Sequence, residues 1–161
     1  MMTDFFWNNL FKHPPSELQT ITQYWQETPL FKNIPSRHIA ALAKHMHVRH
    51  YQAEEVIFRR GDQGAGAILV LQGQVRVMAR NALLAELSEG DFFGEIALAE
   101  TDRRAADAVS VTPSRLVFFL KQDLEEWIEV EPRLGTVFLM NLASTLAQRL
   151  HQANLRLAES S

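Results

Sequence analysis

The stretch from residue 56 to residue 120 most constrains what this chain can fold into. Short apolar segments at 56–58, 67–71, 75–78, 83–87, 106–111 and 116–120 are rich in β-branched or aromatic residues. Turn signals punctuate them: Gly61-Asp62, Gly64 to Gly66, Gly73, Asn81, Gly90-Asp91 and Pro113-Ser114. Strands spaced about 8–12 residues apart with such punctuation predict an antiparallel sandwich or barrel, not alternating βαβ units.

Helical periodicity flanks this region on both sides. Asp4 to Phe11 is aromatic-rich (Phe5, Phe6, Trp7, Phe11), and His13-Pro14-Pro15 breaks any helix there. Ser16 reads as the N-cap of a helix from Glu17 to about Gln26, with Leu18, Ile21 and Trp25 on one face. The aromatic residues of this arm are expected to pack on the main domain, with partner docking as the alternative. Pro35-Ser36 opens a further run that places Ile39, Leu42, Ala43 and Met46 together. Beyond residue 121, Asp123 begins a short helix ending near Val130, and Pro132 starts a long one reaching about Leu157. Leu134, Phe138, Leu142, Leu146, Leu150, Ala153 and Leu157 step along it by fours and threes. A small domain covers part of such a stripe, and a second copy of the chain is the simplest cover for the remainder. The expected division is an N-terminal helical arm at 1–27, a strand-rich domain at 28–131 and the long helix at 132–158.

Composition narrows the function. A chain of 161 residues suits one domain and buries enough surface to fold without a metal or disulfide staple. It has no cysteine, which excludes disulfide frameworks, thiolate zinc sites, iron–sulfur clusters and thiol nucleophiles. Sixteen basic against nineteen acidic residues give a net charge of −3, with no basic run of the kind that non-specific nucleic-acid binding needs. Uninterrupted apolar runs reach only five residues, as in Ala67 to Leu71, far short of a membrane span. No basic residue precedes Lys12, so the N-terminus does not read as a signal peptide, and a cytoplasmic protein is expected.

The segment that carries chemistry runs from Gly90 to Ala106. Gly94 and Glu95 stand at the start of a single helical turn from Ile96 to about Glu100, and Arg104 follows nine residues after the glutamate. Backbone N–H groups at a helix start attract an anion, and a glycine lets it approach closely. Arg104 offers a bidentate fork to the same anion. Glu95, repelled by a phosphate, suits a sugar hydroxyl beside it. A phosphate and a hydroxyl on one ribose fit this arrangement; the spacing equally allows Glu95 simply to pair with Arg104.

Phe93-Gly94-Glu95-Ile96-Ala97-Leu98, followed by Arg104-Ala105-Ala106, closely resembles the phosphate-binding cassette of cyclic nucleotide-binding domains. These domains occur in the bacterial catabolite activators, the regulatory subunits of the cAMP-dependent kinase and the cyclic-nucleotide-gated channels. The resemblance extends through Pro29-Leu30-Phe31, Val56 to Asp62 and Leu71 to Val75, covering roughly residues 28–155. It implies an α+β fold: an antiparallel, jelly-roll-like β-roll of about eight strands, with N-terminal helices and a long C-terminal helix. It implies that Glu95 accepts from the ribose 2′-hydroxyl and that Arg104 pairs with the cyclic phosphate. Gly94, Ile96, Ala97 and Ala105 are then the backbone amides of the phosphate cradle. Gly61, Gly73 and Gly90 match turn glycines of the roll.

This chain departs from the pattern in places. Arg103 stands where proline is frequent, which either loosens the loop or adds a second positive charge near the phosphate. The first hairpin turn, usually glycine-bearing, reads Gln52-Ala53-Glu54-Glu55. His151 and Asn154 are candidate base contacts late in the long helix, each also readable as a solvated helix residue. Ala105 lacks the hydroxyl that cGMP-selective members often place after the arginine, so cAMP is favoured over cGMP. His45, His47 and His50 crowd one segment, but no further ligand stands at a convincing spacing, so they read as solvated edge residues and no metal is expected. No catalytic motif is present and no enzyme is expected.

The long helix ends shortly before Ser161, so no winged helix-turn-helix is expected within these residues. The reading is a free-standing cyclic nucleotide sensor that needs no cofactor and is homodimeric through 132–158. It signals to an unidentified effector protein, for which 1–27 is the candidate contact, and it involves neither DNA nor membrane. The alternative is a structural or interaction module that keeps the fold, binds no nucleotide, and holds Arg104 internally through Glu95, Asp102 or Asp107.

Overall fold

A computed structural model of the chain describes residues 15–100 and 103–161. The aromatic segment at 4–11 and Asp102 lie outside the described residues. Helix α1, Glu17–Gln26, begins where expected: Ser16 Oγ accepts from the Gln19 amide and Gln19 Oε1 accepts from the Ser16 amide, a reciprocal capping box. Its inner face buries Ile21 and Trp25, so the described part of the N-terminal arm is core. The run from Pro29 onward divides into a 3-10 helix, Pro29–Phe31, and helix α2, Ser36–Ala43. Asn33, in the left-handed region at φ 64°, lies between them.

Eight strands follow: β1 His47–Tyr51, β2 Val56–Phe58, β3 Gly66–Gln72, β4 Val75–Ala79, β5 Ala82–Leu87, β6 Phe92–Phe93, β7 Asp107–Ser110 and β8 Ser114–Leu120. They form two four-stranded antiparallel sheets, ordered β1-β8-β3-β6 and β2-β7-β4-β5. One turn of helix, α3 Ile96–Ala99, interrupts the strands between β6 and β7. Helix α4, Lys121–Val130, and the 28-residue α5, Pro132–Glu159, close the chain.

β3 explains why Ala67 to Leu71 is apolar without alternation. Ile68 and Val70 face the inside of the roll with Val75, Phe93, Ala108 and Leu116. Ala67, Leu69 and Leu71 face the helices, packing with Trp25, Leu30, Phe31, Phe119, Trp127 and Phe138. β8 is divided the same way, with Leu116 toward the roll and Val117 and Phe119 toward the helical layer. A strand buried on both faces has no polar side to alternate with. Trp25, Phe31, Phe119 and Phe138 form a chain of tilted and edge-on ring contacts with centroids 5.0–6.1 Å apart, joining α1, the 3-10 helix, β8 and α5.

Two strands fall outside the six apolar segments of the sequence. β1, His47 to Tyr51, carries mostly exposed side chains and pairs only with β8, so its composition shows no buried face. β6 is only two residues long. Glu54 adopts φ 64° in the glycine-free first turn, where the Glu55 carboxylate accepts from the Gln52 amide at 2.7 Å. His45, His47 and His50 are exposed, and no group of metal-competent side chains occurs among the described residues.

Candidate functional site

Gly94, Glu95 and Arg104 meet where β6 runs into α3. Arg104 Nη1 donates to the Gly94 carbonyl at 3.2 Å and Nη2 to the Gly66 carbonyl at 3.0 Å. Its guanidinium carbon sits 4.5 Å from the Phe58 ring centroid, a cation–π contact with the end of β2. Two features favour glycine at position 94: its φ is +72°, and a Cβ there would stand 2.4 Å from Arg104 Nη1, so the arginine would have to shift. Burial pushes Arg104 below the ordinary arginine value, partly countered by the nearby charge of Glu95. Yet Arg104 forms no salt bridge among the described residues, and both of its acceptors are backbone carbonyls.

Glu95 is 3% exposed and is paired with a residue that the sequence reading did not select. Arg149 Nη1 donates to Glu95 Oε1 at 2.6 Å, Nη2 donates to the Phe92 carbonyl at 3.3 Å, and the guanidinium carbon lies 4.7 Å from the Phe92 ring centroid. The Glu95–Arg104 pair that the spacing allowed does not form, because α5 supplies the partner instead. Asp107, the other described candidate, accepts from the Arg60 amide at 2.7 Å. Arg149 continues the face of α5 on which Phe138, Leu142 and Thr145 are buried, one step of four further on, a placement that only the packing of α5 reveals.

Of the four residues expected to lend cradle amides, Gly94, Ile96 and Ala97 lie at the α3 turn and Ala105 lies apart from it, just before β7. The Ala97 amide donates to the Gly94 carbonyl at 3.1 Å, while those of Glu95 and Ile96 have no acceptor among the described residues. Ile96 is 60% exposed and Ala97 is buried. Ala105 is exposed beside Arg104. His151 and Asn154 lie on the fully exposed last turns of α5, with no hydrogen bond to the cassette. Arg103 donates to the Gly61 carbonyl at 2.8 Å, so its side chain is engaged by the turn after β2.

A half-buried arginine held by carbonyls, a glycine-bounded helical turn and a carboxylate beside them thus stand together on a β-roll. The cyclic nucleotide-binding domain model matches residues 48–131, and the chain belongs to that family. It is 31% identical over 135 residues to the cyclic AMP receptor protein of Thermus thermophilus, covering 81% of this chain and 61% of that one. It is 26% identical over 135 residues to a CRP-like cAMP-activated global transcriptional regulator of Mycobacterium tuberculosis, covering 81% of this chain and 58% of that protein. The chain therefore spans less than two thirds of the length of these relatives. The crystal structure of the Thermus thermophilus catabolite activator protein superposes with a TM-score of 0.71 at 32% identity, covering 81% of this chain and 62% of that one. No helix among the described residues is long and apolar enough to cross a membrane.

Proposed function

We propose that this chain is the nucleotide-binding unit of a cytoplasmic regulator, takes cAMP ahead of cGMP, and passes the binding event to a protein partner. The observation that carries the reading is the asymmetry of charge around Glu95. Arg149 already neutralises the glutamate, whereas Arg104 is a half-buried cation whose hydrogen bonds go only to carbonyls. An approaching phosphodiester thus meets a net positive centre instead of a carboxylate's repulsion. In this reading Arg104 and the amides of Gly94, Ile96, Ala97 and Ala105 hold the phosphate, the Ala97 amide shifting off the Gly94 carbonyl to do so. Glu95 accepts from the ribose hydroxyl while still bonded to Arg149, which links the ligand to α5.

Output through a second copy is supported by α5 itself. Leu139, Ala143, Leu146, Leu150, Ala153 and Leu157 follow a strict four-three repeat, and Leu139, Leu150 and Leu157 are 43%, 63% and 68% exposed. This stripe differs from the sequence-predicted one, because Phe138 and Leu142 are buried within the domain. In a parallel pair this register puts Asn154 at an e position, facing the g position that Arg149 holds on the other helix. His151 falls on the outer b position. Asn154 is therefore the better candidate for reaching the base in the neighbouring subunit. An effector contact through 1–27 has residues 1–14 and the exposed face of α1 to work with.

Calorimetry and thermal shift with cAMP and cGMP test the proposal. Stabilisation should grow with ligand concentration, by about 2.7 kcal/mol at a hundredfold excess over Kd, and more for cAMP than for cGMP at equal concentration. No shift at millimolar ligand would leave the alternative, a nucleotide-free interaction module with Glu95 serving only to anchor α5.

A further inference from the structure

The turn after β2 grips two consecutive arginines through one glycine. The Gly61 amide donates to the Arg104 carbonyl at 2.8 Å, and the Gly61 carbonyl accepts from Arg103 Nη1 at 2.8 Å. One residue further on, the Arg104 amide donates to the Asp62 carbonyl at 2.7 Å, and Gln63 forms an isolated antiparallel bridge with Arg103. The turn is fastened from its other side as well: Asp62 Oδ2 accepts from the Arg59 amide at 2.8 Å, and Asp107 Oδ1 accepts from the Arg60 amide at 2.7 Å. Gly61 has φ +90° with no atom within 4 Å of where a Cβ would stand, so the glycine serves backbone shape and not space.

We infer that Arg103 is a positioning residue for Arg104: its guanidinium clamps the Gly61 turn onto the backbone of the cassette arginine. The inference rests on Arg104 being the phosphate contact. Phe58, the ring beneath the Arg104 guanidinium, immediately precedes the clamped turn. A shift of that turn would therefore move the arginine's backbone and its stacking surface together. The Gly61 carbonyl is tied to Arg103 by a charge-assisted bond, stronger than a neutral one. Arg103 thus acts on phosphate recognition by holding geometry, not by adding charge at the phosphate.

The test compares the whole chain with its Arg103→Ala and Arg103→Lys variants, with and without cAMP. In the ligand-free protein, hydrogen exchange at the Gly61 and Arg104 amides should quicken about tenfold in Arg103→Ala, the scale of one charge-assisted bond, and recover in large part in Arg103→Lys. Exchange in β3 and β8 should be unchanged. The affinity for cAMP should fall about tenfold in Arg103→Ala, with no further loss when Arg103→Ala is added to Arg104→Ala. Unchanged exchange at Gly61 and Arg104 overturns the clamp, even if affinity falls, because a purely electrostatic role leaves exchange untouched. Faster exchange spread through the roll also overturns it, because the role is then general stability. A wild-type chain that binds no cAMP strikes the functional reading alone, since the ligand-free exchange still decides the clamp.

Discussion

Arg104 and Arg149 are two guanidinium sites that meet the chain at Gly94 and at Glu95, and they are built alike up to a point. Each lies over a phenylalanine ring, Phe58 at 4.5 Å and Phe92 at 4.7 Å, and each donates to backbone carbonyls. They differ in counter-charge. Arg149 meets a buried carboxylate at 2.6 Å and fastens α5 to the roll. Arg104, half-buried and hydrogen-bonded to carbonyls only, keeps spare donor capacity. A cation with its carboxylate is a fastener; a cation held by carbonyls still lacks a counter-charge, which is what the proposed phosphate would supply.

That contrast is broken most directly by Arg104→Ala. It should cost at least about a hundredfold in cyclic nucleotide affinity, the order of 3 kcal/mol expected for a desolvated charge pair, measured by calorimetry. Apo stability should change little, because the variant removes a half-buried cation and no ion pair among the described residues. Arg149→Met should show the opposite profile. It strands Glu95 in a buried position and should lower stability in urea by about 2 kcal/mol, less than for a fully buried pair because the Arg149 side chain is 43% exposed. Adding Glu95→Gln to that chain should restore part of the loss. If both single variants lose stability equally, the two arginines are not different in kind.

Smaller effects sharpen the comparison. Gly94→Ala forces a Cβ to 2.4 Å from Arg104 Nη1 at φ +72°, and should destabilise by about 1–2 kcal/mol while displacing the Arg104 guanidinium. Its signature is a weakened ligand response out of proportion to its stability loss, read by thermal shift. Smallest in stability is Leu150→Ser combined with Leu157→Ser, at about 0.5 kcal/mol or less within one chain, because both side chains are exposed. Light scattering at micromolar concentration should nonetheless show the wild type as a dimer and this variant as a monomer. A monomeric wild type would remove the helix seam.

Much of this was legible in the linear sequence because local chemistry repeats along it. Ser16 and Gln19 announce α1 through a capping exchange three residues apart. Gly61, Gly73 and Gly90 mark turns that need φ near +90°. Ala67 to Leu71 reads as a strand because β3 is buried on both faces. β1 was not legible, because His47, Arg49 and His50 point to solvent and the strand exists through its pairing with β8. Arg149 was not legible as a site residue either, since 54 residues separate it from Glu95 and nothing local distinguishes it from any surface arginine.

The sequence alone determined an antiparallel sandwich or barrel with helical flanks, because turns, caps and strand periods are short-range and sterically encoded, and its resemblance to a family grouped Gly94, Glu95 and Arg104 as one cassette. Tertiary structure decided which charge answers which. Glu95 pairs with Arg149 and not with Arg104, and the exposed apolar stripe of α5 runs through Leu139 and Ala143 instead of Phe138 and Leu142. Both follow from how α5 lies across the domain, which sets the face that is buried. That depends on packing among residues far apart in the chain, which local spacing does not encode.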